Sequence, residues 1–186
     1  MEDRVSAAFA ATPRARFLPR LARPRAGHDG PIGIGRGQTN SQPRTVAAML
    51  RLLEVRDGDR VLDVGAGSAW STALLAQLTG PRGEVVGVEL EPELVVFGRR
   101  NLGRSARPWA RIEQADPRRL GRPDHAPYDR ILVSAEAREL PQELVGQLAD
   151  GGRMVIPVAG IMTLVRRHGD ETAVSEHGGY RFVPLR

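Results

Sequence analysis

Gln38-Thr39-Asn40-Ser41 places four uncharged hydrogen-bonding side chains in a row, between the glycines Gly33, Gly35 and Gly37 and the proline Pro43. Amides and hydroxyls can orient an anion without exchanging a proton with it. The glycines let the backbone turn and pass close to a ligand, so the stretch suits a substrate loop. A second glycine loop follows, Asp63-Val64-Gly65-Ala66-Gly67-Ser68, of the kind that holds a nucleotide-like cofactor. Two further carboxylates lie beyond it: Glu89, 24 residues after Gly65, and Asp116. No cysteine is present, which excludes disulfides and thiol chemistry, and the four histidines (His28, His125, His168, His177) are dispersed, so a structural metal site is not expected. All four histidines are expected on exposed loops.

Regular elements must carry these groups, and the middle of the chain alternates strand-like and helix-like segments. Strands are expected at Arg60–Val64, Glu84–Leu90, Arg111–Ala115, Arg130–Ser134 and Arg153–Val158. Helices are expected at Trp70–Leu78, Pro92–Leu102 and Gln142–Leu148, with Pro92 suited to a first turn. This alternation predicts right-handed crossovers and a doubly wound α/β fold with a mainly parallel sheet. Thr163–Arg167 and Val174–Val183 follow without a helix between them and predict a closing hairpin around His168-Gly169-Asp170. Val5–Ala10 and Arg44–Leu53 have helical character on either side of the polar loop.

In such a sheet ligands collect beyond the carboxyl ends of the strands. Gly65 and Gly67 fall just past the first strand, Glu89 at the end of the second, where a carboxylate meets ribose hydroxyls, and Asp116 past the third. Asp63 could accept hydrogen bonds from its own loop or from a cofactor amine. A dinucleotide site would share part of this pattern, but its third glycine falls where this chain has Trp70. Three acids at successive strand ends suit a cofactor with a cationic end and no phosphate, and S-adenosylmethionine carries an ammonium, a sulfonium and a ribose diol.

These residues resemble the protein-L-isoaspartate O-methyltransferases, within the class I S-adenosylmethionine-dependent methyltransferases. The likeness runs from Arg14-Ala15-Arg16-Phe17-Leu18-Pro19 to Arg181-Phe182-Val183-Pro184-Leu185. The family's G-x-G-Q-T-I-S-x-P element is similar to Gly35–Pro43, and V-L-E-I-G-x-G-S-G-Y to Val61–Trp70. P-Y-D-R-I-I-V-T-A-A is similar to Pro127–Glu136, and G-G-R-L-V-I-P-V to Gly151–Val158. The resemblance implies a seven-stranded Rossmann-like methyltransferase sheet and methyl transfer from S-adenosylmethionine to the α-carboxylate of L-isoaspartyl residues in damaged proteins or peptides. It also implies roles for individual residues. Gly65, Ala66, Gly67 and Ser68 would cradle the methionine part with Asp63 behind them, Glu89 and Leu90 the ribose, and Asp116 and Pro117 the adenine end. Gln38 would lie over the cofactor, Thr39 and Ser41 would act on the reacting carboxylate, and Asn40, Val133, Ser134 and Ala135 would flank the substrate.

The chain departs from the pattern at Asn40, where the family has isoleucine, and at Ala69, where it has a loop glycine. Glu136 and Arg138 put charges beside the expected peptide site, the segment Ala159–Thr163 is short, and Arg25–Ile34 is trimmed. Two alternatives therefore stand beside general repair: a carboxyl methyltransferase for an aspartyl or isoaspartyl residue of one particular peptide, and a non-catalytic cofactor-binding module. The net charge is +5, and with no lysine every basic residue is arginine, as a GC-rich coding bias would give. Arg14, Arg16, Arg20, Arg23 and Arg25 crowd one segment, either as a solvated face with packed stems or as a docking strip for acidic peptide or phosphate. With few aromatic residues to stack bases, nucleic acid is not the expected partner. At 186 residues the chain is expected to be one methyltransferase domain, with an N-terminal helical and substrate-loop region (1–43), a cofactor-binding core (44–158) and a C-terminal hairpin (159–186). No signal-peptide or membrane-spanning pattern is present, so a cytoplasmic monomer is the expectation.

Overall fold

The computed structural model describes residues 3–186. Helix α1 (Arg4–Ala11) begins where the Asp3 carboxylate accepts the Val5 amide at 3.2 Å. Two 3-10 turns follow, Arg14–Phe17 and Arg20–Arg25, then a small antiparallel hairpin of β1 (Ile32–Gly35) and β2 (Gln38–Asn40). Helix α2 (Pro43–Leu53) starts on its proline, and Asp29 caps it from outside by accepting the Arg44 amide at 3.2 Å. The alternating part comprises β3 (Arg60–Val64), α3 (Trp70–Thr79), β4 (Glu84–Glu89), α4 (Pro92–Gly103), β5 (Ala110–Gln114), β6 (Tyr128–Val133), α5 (Gln142–Val145) and β7 (Leu148–Val158). Strands β8 (Ile161–His168) and β9 (Glu171–Gly179) close the chain.

The seven strands run in the order β5-β4-β3-β6-β7-β8-β9. The first five in that order are parallel, and β8 and β9 add antiparallel. Because β4 leaves β3 toward one edge and β6 toward the other, the sheet has its switch point at the carboxyl end of β3, where ligands bind in such folds. Alternate residues of each strand serve opposite faces. Val61, Val85, Leu132 and Val155 pack with residues of α1, α2, α3 and α4, whereas Leu62, Val86, Ile131 and Met154 pack with Leu144 and Val145 of α5. Both faces are apolar, as parallel strands buried on two sides require, but the second face is covered by a single helical turn and by loops.

Three regions differ from expectation. The polar loop is a hairpin, made possible by positive φ at Gly35, Arg36 and Gly37 in its turn. The helix expected over Gln142–Leu148 stops at Val145, because Gln147 breaks away to hold other backbone. Its buried amide donates to Leu120 O and Glu143 O and accepts from Arg122 N, and β7 has begun by Leu148 instead of Arg153. The last strand ends at Gly179 rather than Val183, and the tail folds back: Glu136 N donates to Val183 O at 2.7 Å and Leu185 N to Glu136 O at 2.8 Å. Among the described residues no helix is long and apolar enough to cross a membrane.

Candidate active site

A cavity of about 870 Å³ opens at the carboxyl ends of β3, β4, β5 and β6, a volume typical of ligand sites. Its floor is the glycine loop. Gly65 (φ 79°) and Gly67 (φ 53°) take left-handed conformations, which glycine adopts without penalty. The Gly65 and Ala66 amides both donate to Val88 O, at 2.9 and 3.1 Å. Helix α4 presses on this loop so closely that a Cβ on Gly98 would stand 3.0 Å from Gly67 O. Ala69 completes the turn in the left-handed region (φ 71°), so the loop keeps its course without a glycine there.

Two buried carboxylates support the floor. Glu89 accepts the Gly67 amide at 2.8 Å on one oxygen and the Glu91 amide at 2.9 Å on the other. Each oxygen keeps lone-pair capacity for a further donor such as a ribose hydroxyl. Asp63 is fully buried and accepts the hydroxyls of Ser71 (2.7 Å) and Thr72 (2.6 Å) on Oδ2, while its Oδ1 has no partner among the described residues. Burial pushes the Asp63 carboxyl up to about 6, against the two hydroxyl bonds and helped by the charge of Glu89. Glu89 lines the cavity with lone pairs to spare for a diol, and Asp63 beneath the loop adds an acid that suits a cofactor carrying positive charge.

Gly65, Ala66, Gly67, Ser68, Glu89 and Leu90 line the cavity, as do Asp116 and Pro117 on its outer side and Ser134 and Ala135 beyond β6. Asp63 and Val133 do not: Asp63 braces the loop against α3 from beneath, and Val133 is a core residue under the sheet's second face. Asp116 is exposed and accepts the Arg118 amide at 2.9 Å.

Gln38, Thr39, Asn40 and Ser41 form the roof. Among the described residues the hydroxyls of Thr39 and Ser41 bond to no protein group, which leaves them for a ligand. Asn40 is different. It is buried, its Oδ1 accepts Arg14 Nε at 2.6 Å, and its Nδ2 donates to Ser68 Oγ at 3.1 Å. Arg14 also donates to His28 O (2.7 Å), Gly30 O (2.8 Å), Asn40 O (3.0 Å) and Ser41 O (2.9 Å), and stacks over Trp70 at 5.4 Å. The arginine-rich segment is thus not one strip. Arg14 is a buried hub, whereas Arg16, Arg20, Arg23 and Arg25 are at least partly exposed. Arg20 and Arg23 share a second cavity of about 590 Å³ with Arg100 and Arg104 of α4.

Other walls come from segments of which sequence reasoning singled out only Arg138. The tail residues Val183–Arg186 and the stretch Arg138–Glu143 both line the cavity. Arg186 donates to Glu91 at 2.5 Å beside its mouth. No local pattern announces such a wall; only the likeness extending to Leu185 hinted at it. Arg138 does reach the cavity, but Glu136 does not, because its backbone and carboxylate are taken by Val183, Leu185 and Phe182. Of the histidines, His28 and His168 are exposed, but His168 and His177 belong to strands and His125 and His177 are half-buried; none lines the cavity. Among the described residues no group of three His, Cys, Asp or Glu side chains could hold a metal.

The sequence family described as protein-L-isoaspartate(D-aspartate) O-methyltransferase matches residues 1–186. The protein-L-isoaspartate O-methyltransferase of Methanopyrus kandleri is 44% identical over 189 residues, which cover 98% of this chain and 83% of that protein. That of Methanothrix thermoacetophila is 42% identical over 189 residues, covering 100% and 89%. A crystal structure from Plasmodium falciparum, described as a putative protein-L-isoaspartate O-methyltransferase in complex with S-adenosyl-L-homocysteine, superposes with a TM-score of 0.88. It is 25% identical and covers 100% of this chain and 91% of that one.

Proposed function

The chain belongs to the protein-L-isoaspartate O-methyltransferase family, and from that premise we infer how its cavity divides the work of the reaction. The protein is an S-adenosylmethionine-dependent protein-L-isoaspartate O-methyltransferase, a repair enzyme whose substrates are isoaspartyl-containing proteins. When bound, the cofactor supplies a sulfonium methyl group. The acceptor is a carboxylate with an ordinary pKa of roughly 4, so at neutral pH it is already the nucleophile and no residue need remove a proton. The protein's part is to hold that oxygen in line with the methyl, at about 3–3.5 Å, with water excluded.

In our assignment Gly65, Ala66, Gly67 and Ser68 hold the amino-acid end of the cofactor, Glu89 and Leu90 its ribose, and Asp116 and Pro117 its adenine. Asp63 contributes from beneath, through its charge and by fixing α3. Gln38 covers the cofactor, and the hydroxyls of Thr39 and Ser41 orient the isoaspartyl carboxylate. Ser134 and Ala135 flank the substrate, with Val133 supporting them from the core, and Asn40 holds the roof. The observation that carries this division is the pair of roof hydroxyls without protein partners among the described residues, across one cavity from the glycine loop and the buried Glu89 carboxylate. We also propose that the chain acts as one unit and as a cytoplasmic monomer.

Labelled S-adenosylmethionine offered with an isoaspartyl peptide and its aspartyl twin tests the reading. Label on the isoaspartyl peptide alone is expected. Equal labelling of both would point to a broader carboxyl methyltransferase, and cofactor binding without labelling of either would point to a non-catalytic module.

A further inference from the structure

The contacts of Asn40 have a direction. Arg14 Nε can only donate, so the Asn40 atom it meets at 2.6 Å is the carbonyl oxygen, and the amide nitrogen must face Ser68 Oγ at 3.1 Å. The orientation of the amide is therefore fixed by chemistry. Ser68 Oγ is thereby an acceptor toward Asn40, and its own proton must go elsewhere. Among the described residues nothing accepts that proton, although Ser68 lies in the cavity wall at 2% exposure. Its backbone is held as well, with Ser68 O accepting the Asn101 amide at 3.1 Å.

The start of the relay is equally constrained. Arg14 is 6% exposed and forms no ion pair among the described residues; all its bonds run to carbonyl oxygens. A buried cation bonded only to neutral oxygens polarises the groups that carry them, and the low local dielectric strengthens that effect.

We propose that Arg14, Asn40 and Ser68 form a one-way hydrogen-bond relay that points the Ser68 hydroxyl proton into the cavity, as a donor for the carboxylate at the amino-acid end of the cofactor. Asn40 is then a positioning residue that acts through Ser68. It couples the roof hairpin to the cofactor floor, so a site with an apolar residue at position 40 would lack this link. The inference rests on the assignment of Gly65–Ser68 to the amino-acid end.

Asn40→Asp separates the relay from simple support. Aspartate keeps an acceptor for Arg14 but has no proton for Ser68, so the serine must turn its hydroxyl back toward position 40. Affinities for S-adenosylhomocysteine and for methylthioadenosine, which lacks the amino-acid end, are measured by calorimetry on the wild type, Asn40→Asp, Ser68→Ala and the double variant. Thermal melts confirm that each is folded. The relay predicts that Asn40→Asp weakens S-adenosylhomocysteine about tenfold, the size of one charge-assisted hydrogen bond, and leaves methylthioadenosine within about twofold. In the Ser68→Ala background the same substitution should change affinity by less than about twofold. Unchanged affinity in Asn40→Asp, an equal loss for methylthioadenosine, or an undiminished loss without Ser68 would overturn it. Failure of the wild type itself to bind S-adenosylhomocysteine would instead remove the cofactor assignment on which the relay stands.

Discussion

The floor and the roof of the cavity are built by different means. The floor consists of strand ends and the turn after β3, where Val88 O receives two loop amides and Glu89 receives two more. It is backbone-made, and each strand holds its neighbour in register. The roof is a short hairpin held largely by side chains: Arg14 reaches it from a 3-10 turn, Asn40 bonds to Ser68, Arg36 pairs with Glu93, and Ile32 and Ile34 pack with Leu18 and Leu94. A ribose and an amino-acid end are the same in every turnover and suit a rigid cradle. A roof held by side chains can be altered by single substitutions without disturbing the sheet.

Breaking the roof should have the largest effect. Arg14→Ala would leave a set of buried carbonyls and Asn40 without their donor, at a cost of about 3 kcal/mol. For a chain of this length that is a fall in Tm of roughly 6–12 °C by calorimetry. A fall of under about 2 °C would mean the hairpin is held by something other than the arginine. On the floor, Glu89→Gln sets an amide N–H against a backbone N–H that the carboxylate accepts. Affinity for S-adenosylhomocysteine should drop by about 2–3 kcal/mol, roughly 100-fold, and the orphaned backbone N–H should lower Tm by roughly 2–8 °C.

The third effect is one of pH. Burial raises the folded-state pKa of Asp63 from 3.8 to about 6, so the folded protein favours the protonated carboxyl. The stability this gives is fully present below about pH 4 and is lost as pH rises through about 6. Relative to Asp63→Asn, the wild type should lose on the order of 2–3 kcal/mol across that window, measured by urea unfolding. Parallel curves for the two proteins would show that Asp63 does not titrate there. The smallest effect is expected at Ala69. Glycine would relieve left-handed strain of about 1 kcal/mol, but it loses a buried methyl worth about 0.8 kcal/mol. Ala69→Gly should therefore leave Tm nearly unchanged, and a large shift either way would show that one of these opposed effects dominates.

The same division explains what was legible in the sequence. Runs such as Val61-Leu62-Asp63-Val64 and Glu84–Glu89, each followed by a glycine or proline start, mark strand ends locally, so the order of residues alone places Gly65, Gly67 and Glu89. The hub has no such mark. Arg14 meets Asn40 across 26 residues of chain, and among its arginine neighbours nothing distinguishes a buried guanidinium from an exposed one. The tail wall is more remote still, since Leu185 pairs with Glu136 through backbone groups that carry no side-chain signature. Asp63 was legible as an acid at a strand end, but whether it faces the cavity or the helix beneath depends on Ser71 and Thr72 in the first turn of α3.

The central claim is that the floor binds cofactor while the roof hydroxyls orient substrate, and a binding and kinetic split on Ser41→Ala tests it most directly. The account predicts that kcat/KM for an isoaspartyl peptide falls about tenfold or more, while calorimetric affinity for S-adenosylhomocysteine stays within about twofold of the wild type. Equal losses in both, or full activity in the variant, would contradict it.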